Sequence, residues 1–246
     1  MRSKLPATHI LRHFVLFALT LLFLLTFTRA VYALWKFIEL EETGAFLALF
    51  VQGLRFDLAL IGLMCIVPMF LGSLLGMFKI TKGLAKFLIV VFLYVSLFAV
   101  LALELVTPWF IHTTGIRPDL SALLAIPENS SDIVEIAKQQ WIVTTLGCLL
   151  CLLVLLAFWR RLETPRLLRY PISRMAGLGC AVVGVLVCVI AIWSTADFRQ
   201  LPLGPGDALI SVDSTVNELA LNTPYKLIHS AALPYFNSLV ETEENL

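Results

Sequence analysis

Six charged residues stand where charge is costly. Arg29, Arg55, Asp57 and Glu104 lie within or at the mouths of long apolar runs, and Arg117 and Asp119 follow in the next connection. A charge at membrane depth is expensive and marks a partner or a function. Counting about 1.5 Å per helical residue, Arg29 lies about 24 Å beyond the inner end of its run and Glu104 about 27 Å beyond Lys86. Arg55 and Asp57 open the run Leu58–Phe78. The four share one depth, near the outer headgroups. Three chemistries suit them. The first is a structural network of ion pairs that pins helices. The second is a headgroup site, where Arg29, Arg55 or Arg117 grips a lipid phosphate bidentately and Asp57 or Glu104 meets a cationic or hydroxylated group. The third is a proton or ion relay, which has least behind it because no chain of acids runs inward from Glu104.

Other reactive side chains do not assemble. His9, His13, His112 and His229 are scattered without ligand spacing. Cys148-x-x-Cys151 resembles a redox or zinc half-site, but it sits in an uncharged run with no second pair and no nearby His. Cys65, Cys180 and Cys188 also lie in apolar runs, where a small apolar side chain is the plain reading. No catalytic, cofactor-binding or metal-ligating residue is assigned, and no cofactor is expected in this chain.

The composition says what must position the six charges. Of 246 residues, 59% are hydrophobic and 14% charged, against about half and about a quarter in a soluble domain. This is the make-up of an integral membrane protein. No Lys/Arg stripe with interleaved aromatics is present, which excludes nucleic acid as a partner. A hydrocarbon core about 30 Å thick needs about 20 helical residues. Five runs qualify: His13–Trp35, Leu58–Phe78, Phe87–Pro108, Trp141–Trp159 and Met175–Ala196. Lys and Arg concentrate in the N-terminus and in the alternate loops around Lys79–Lys86 and Arg160–Arg174. By the positive-inside rule the N-terminus is cytoplasmic and the tail external. The first run has a second reading as a cleaved signal peptide ending near Val31-Tyr32-Ala33, against which stand its length and the interruption by Arg29.

The connections carry weaker patterns. Leu120, Leu123, Leu124 and Ile126 give the second outer loop a short apolar face, and Ser130-Ser131-Asp132 reads as the cap of another short helix. Interfacial helices fit there, as does a packed surface loop. In the tail, Ser214 reads as the cap of a helix through Ala220, Pro224 interrupts it, and residues 225–233 continue as helix. The expected fold is all-α and integral to the membrane, with five transmembrane helices. Residues 1–196 form the transmembrane domain and 197–246 an external juxtamembrane linker.

Three stretches in this order resemble the membrane part of the lipoteichoic-acid-synthase-like phosphoglycerol transferases of the alkaline phosphatase and sulfatase superfamily. They are Gly53-Leu-Arg-Phe-Asp-Leu58, then Gly115-Ile-Arg-Pro-Asp119 with Pro127-Glu128-Asn129, and Val216-Asn-Glu-Leu-Ala-Leu-Asn-Thr-Pro-Tyr-Lys-Leu-Ile228. The resemblance implies five helices, a bacterial inner-membrane location and an external catalytic domain to which the linker leads. The Thr nucleophile and the ligands of a divalent metal such as manganese would lie in that domain, and no residue of this chain matches their motifs. The function expected is a membrane anchor that presents a lipid headgroup, with membrane phospholipid and an external catalytic domain, in cis or from a neighbouring chain, as partners. The alternative is a non-enzymatic inner-membrane lipid-binding regulator of envelope biogenesis; a five-helix regulator of lipopolysaccharide supply is also similar.

Overall fold

Lipid offers the backbone no hydrogen bonds, so an apolar run must close its own ladder as a helix. The structure, a computed structural model, describes residues 6–125, 138, 141–162, 172–194 and 203–232. Among these residues it is helical, with no strand. In order come α1 (Pro6–Trp35), α2 (Phe37–Thr43), α3 (Phe46–Leu75), α4 (Lys82–Thr114), α5 (Leu120–Leu124), α6 (Trp141–Arg161) and α7 (Arg174–Trp193). A 3-10 turn at Pro205–Ala208, α8 (Ser214–Ala220) and α9, residues 223–232, complete the described chain. Among the described residues four helices are long and apolar enough to cross a membrane: α1 from Ile10, α3, α4 and α7. The run expected at Trp141–Trp159 is also helical, as α6.

The helices overrun the apolar runs. Gly44 ends α2 in the left-handed conformation, φ 63°, with its N–H on the Glu41 carbonyl. The chain then enters α3 at Phe46, twelve residues before Leu58. Arg55 and Asp57 therefore lie within a continuous helix that begins before the apolar run. α4 has 33 residues and passes through Pro108 to Thr114. In the tail the cap is Asp213, whose carboxylate accepts the Thr215 N–H; Ser214 is the first helical residue. The helix expected after Ser130 lies outside the described residues, as do Glu128 and the last residues of the tail.

The chain forms two compact units. Unit 1 comprises Met1–Phe27, Asp57–Ala99 and Leu150–Leu203. Its core is apolar, with Phe17, Leu21, Leu60, Ile89 and Leu93 fully buried. Gly177 and Gly184 on α7 let Met77 and Met69 lie against the helix backbone, where a Cβ would overlap them. His13 is accounted for here, with Nε2 3.4 Å from the Leu162 carbonyl. Asp57 also belongs to this unit and is fully buried. Unit 2 comprises Thr28–Phe56, Val100–Leu149 and Gly204–Leu246. Its core includes Leu40, Leu49 and Phe56 together with Val216, Leu219, Ala220 and Thr223. Residues 216–225 are buried except Glu218, which is partly exposed.

Candidate functional site

A proline and a helix end set up the site in unit 2. A proline has no N–H, so the carbonyl four residues earlier loses its helical partner. Pro108 in α4 does this to Glu104, and the Ala220 carbonyl is left open because α8 ends there, with Leu221 extended. A buried carbonyl left bare costs about 1–3 kcal/mol, so donors must come from elsewhere. Both come from α1. The Tyr32 hydroxyl donates to the Glu104 carbonyl at 3.0 Å, and Arg29 Nη2 donates to the Ala220 carbonyl at 3.4 Å. Tyr32 and Arg29 are three residues apart, hence on one face of α1.

The junction between α8 and α9 then gathers the charges. The last carbonyls of a helix are unpartnered and partly negative, and the first N–H groups of the next are partly positive. Two arginines meet the carbonyl end: Arg29 at Ala220, and Arg117 Nε at the Glu218 carbonyl, 2.8 Å. A carboxylate and an amide meet the N–H end. Glu104 Oε1 accepts the Thr223 N–H at 3.1 Å, and Asn222 Oδ1 accepts that of Tyr225 at 2.9 Å. Cations at the C-terminus and an anion at the N-terminus each suit the dipole they face.

Arg117 closes the arrangement. Its Nη1 donates to Glu104 Oε1 at 3.1 Å, to Oε2 at 3.2 Å and to Thr223 Oγ1 at 3.0 Å. Its guanidinium lies 5.3 Å from the Tyr32 ring centre, within cation–π range. Thr223 Oγ1 is 2.6 Å from Thr107 Oγ1, and Thr107 donates to the Leu103 carbonyl. Read as donors, the line runs Arg117, Thr223, Thr107, Leu103. At the other side the Arg117 backbone N–H meets Glu218 Oε2, and Lys226 binds both oxygens of Glu218 at 2.8 and 2.9 Å. Arg29, Tyr32, Glu104, Thr107, Arg117 and Thr223 are all buried. Gly115, at φ 73°, turns the chain back after α4 so that Arg117 returns to Glu104, thirteen residues behind it.

Five of the six charges singled out in the sequence lie in unit 2. Glu104 and Arg117 are paired directly, and Arg29 joins them at the same helix junction. Arg55 is half-buried and donates to Gln52 Oε1 at 2.8 Å, while Gln52 Nε2 donates to the Asp207 carbonyl. Asp57 lies in the other unit. Asp119 caps α5, accepting from the Ala122 N–H at 2.8 Å and the Ser121 hydroxyl at 2.7 Å. These bonds hold its carboxyl below the usual range, the Ala122 N–H contributing most. Gly53 has a role of its own: a Cβ there would overlap the Arg29 guanidinium.

Tyr32 and Thr107 were not singled out as site residues, and Glu218, Asn222, Thr223 and Lys226 entered only as part of the Val216–Ile228 stretch. One signal was present, because Pro108, four residues after Glu104, demands an outside donor for that carbonyl. Near the 3-10 turn, Tyr225 stacks edge-on against Phe56 at 5.5 Å, and burial pushes its hydroxyl up to about 12, with Asp207 adding to the shift. Burial likewise lowers the His229 imidazole, and Asp207 opposes this. His112 stacks on Trp35 with ring centres 6.4 Å apart. Cys148 is exposed on α6, and none of the five cysteines is in a disulfide. Among the described residues no three of His, Cys, Asp and Glu come together as a metal site. What the arrangement does chemically is lock: it joins the tail to α1 and α4 through charge-assisted bonds. No family model matches the chain, and no solved structure matches it.

Proposed function

We propose that this is a bacterial inner-membrane domain that crosses the membrane five times, with its N-terminus in the cytoplasm and its tail outside. It serves as the mount of an external catalytic domain like that of the lipoteichoic-acid-synthase-like phosphoglycerol transferases. The observation that carries this reading is the burial of residues 219–225, where the backbone meets Arg29 and Glu104 and the Thr223 hydroxyl meets Arg117. A free linker would let an attached domain sweep over the surface. A tail fixed by buried charge-assisted bonds holds what is joined through it in one orientation. The catalytic chemistry belongs, in this reading, to the attached domain.

The lipid-presenting role falls to Arg55. Arg29 and Arg117 are engaged with the tail, whereas Arg55 retains exposure and is oriented by Gln52. Its fork suits the phosphate of a phospholipid at the edge of the hydrocarbon.

Three measurements test the reading. Impermeant thiol labelling of single cysteines in intact spheroplasts should mark position 41 and spare position 166; labelling at 166 overturns the topology. Native mass spectrometry should show anionic phospholipid on the wild type and its loss from Arg55→Ala, with melting little changed; retained lipid removes the headgroup role. The reading frame beyond Leu246, or the frame next downstream, should encode a domain with a Thr nucleophile and Asp, Glu and His metal ligands. A stop codon with no such domain nearby turns the assignment to the non-enzymatic regulator.

A further inference from the structure

Between the 3-10 turn and α8 the chain holds two aliphatic side chains away from everything else. Leu209 is 75% exposed and Val212 fully exposed. The loop that carries them is not slack. The buried Asn217 side chain accepts the Ile210 and Ser211 N–H groups, each at 2.8 Å, and donates to the Ser211 carbonyl at 2.8 Å. The backbone is thus fixed with both side chains outward, although collapse onto the core would have removed them from water.

Charge is kept off this loop. Residues 208–212 read Ala-Leu-Ile-Ser-Val. The flanking carboxylates are turned to backbone, Asp207 Oδ2 to the Gly204 N–H and Asp213 Oδ1 to the Thr215 N–H. The depth of the loop follows from Gln52, which binds the Asp207 carbonyl. The uncharged part of α3, Leu58–Leu75, is about 27 Å long, close to the thickness of a hydrocarbon core. Gln52 is six residues before Leu58, about 9 Å further out, within the headgroup layer. Leu209 follows two residues after Asp207 and shares that layer.

We infer that Leu209 and Val212 insert into the headgroup–acyl boundary, and that the loop at 209–212 is a membrane-surface contact whose partner is the phospholipid itself. Two aliphatic side chains on a clamped, uncharged loop are too small a patch for a stable protein interface, which buries on the order of 800 Å² per partner. They suffice for insertion, since each apolar side chain gains from leaving water. The inference requires only that α3 crosses the bilayer, and it stands apart from the external domain.

Spin labels placed singly at positions 209 and 212, in a background with the native cysteines replaced by alanine, test it in nanodiscs of phosphatidylethanolamine and phosphatidylglycerol. Collisions with oxygen should exceed those with an aqueous nickel chelate at both positions, and the reverse should hold for a label at 41. Nickel collisions at 209 and 212 equal to those at 41 overturn the inference. Val212→Trp gives an independent reading without the cysteine background. Its added fluorescence over the wild type should be quenched by lipids brominated high on the acyl chain, and quenching by aqueous iodide alone would again refute the contact.

Discussion

Tyr32→Phe removes a single oxygen and tests the proline logic directly. The hydroxyl donates to the Glu104 carbonyl at 3.0 Å, and that carbonyl has no helical partner because residue 108 is proline. The contact with Glu104 Oε2 is 3.5 Å, at the edge of hydrogen-bond range, so the carbonyl is the main acceptor. Deleting the donor leaves a buried carbonyl bare, at a cost of about 1–3 kcal/mol. Pro108→Ala restores an N–H at the position from which the helix normally serves Glu104. In that background Tyr32→Phe should cost only a few tenths of a kcal/mol, leaving a coupling of about 1–2 kcal/mol between the two sites. The assay is a double-mutant cycle in a mild detergent, with unfolding followed by denaturant titration of all four proteins. Equal cost of Tyr32→Phe in both backgrounds would refute the reasoning, because the hydroxyl would then act through something other than the orphaned carbonyl.

Three further outcomes follow from the same geometry. Arg117→Ala should lower stability by about 3–5 kcal/mol by leaving Glu104 buried without its countercharge, and Arg117→Lys should rescue little because one ammonium cannot reach both Glu104 and the Glu218 carbonyl; the same unfolding titration measures both. Gly53→Ala should destabilise by about 1–3 kcal/mol through overpacking on Arg29, yet become neutral or stabilising in an Arg29→Ala background, where only the better helix propensity of alanine remains. Asp119 has a depressed folded pKa, so its cap on α5 is complete above the ordinary carboxylate range, near about pH 4, and is lost as pH falls through the folded value. Hydrogen exchange at the Ala122 amide should therefore lose protection in acid in the wild type but not in Asp119→Asn.

The parts legible in the sequence are those that depend on length and polarity. Apolar runs about twenty residues long sufficed to locate α1, α3, α4 and α7, because lipid leaves an apolar segment no alternative to a helix. Arg55 and Asp57 read as a span's mouth, since charge conventionally ends one. The helix continues because its outer turns are dressed by other parts of the chain, Gln52 by the Asp207 carbonyl among them. Depth along a helix can be counted from residue numbers, and such counting puts Arg29 level with Glu104. Direction around the helix axis and the path of a loop cannot be counted in that way. The choice of Arg117 as the partner of Glu104 rests on the reversal at Gly115, and that of Thr223 on a tail that folds inward. A polar, proline-broken tail reads as a linker when its buried face has partners only in distant segments.

The contacts of Thr223 also order the making of the protein. Glu104 and Arg117 are thirteen residues apart and meet within one stretch of synthesis. Thr223 follows Glu104 by 119 residues, which at 5–20 residues per second arrives about 6–24 s later. Arg29 waits longer still, since the Ala220 carbonyl it serves lies 191 residues downstream. The ion pair is therefore the early element of unit 2 and the tail its closing one. A chain cut before Ala220 would lack the Ala220 carbonyl that Arg29 meets and the Thr223 N–H that Glu104 meets.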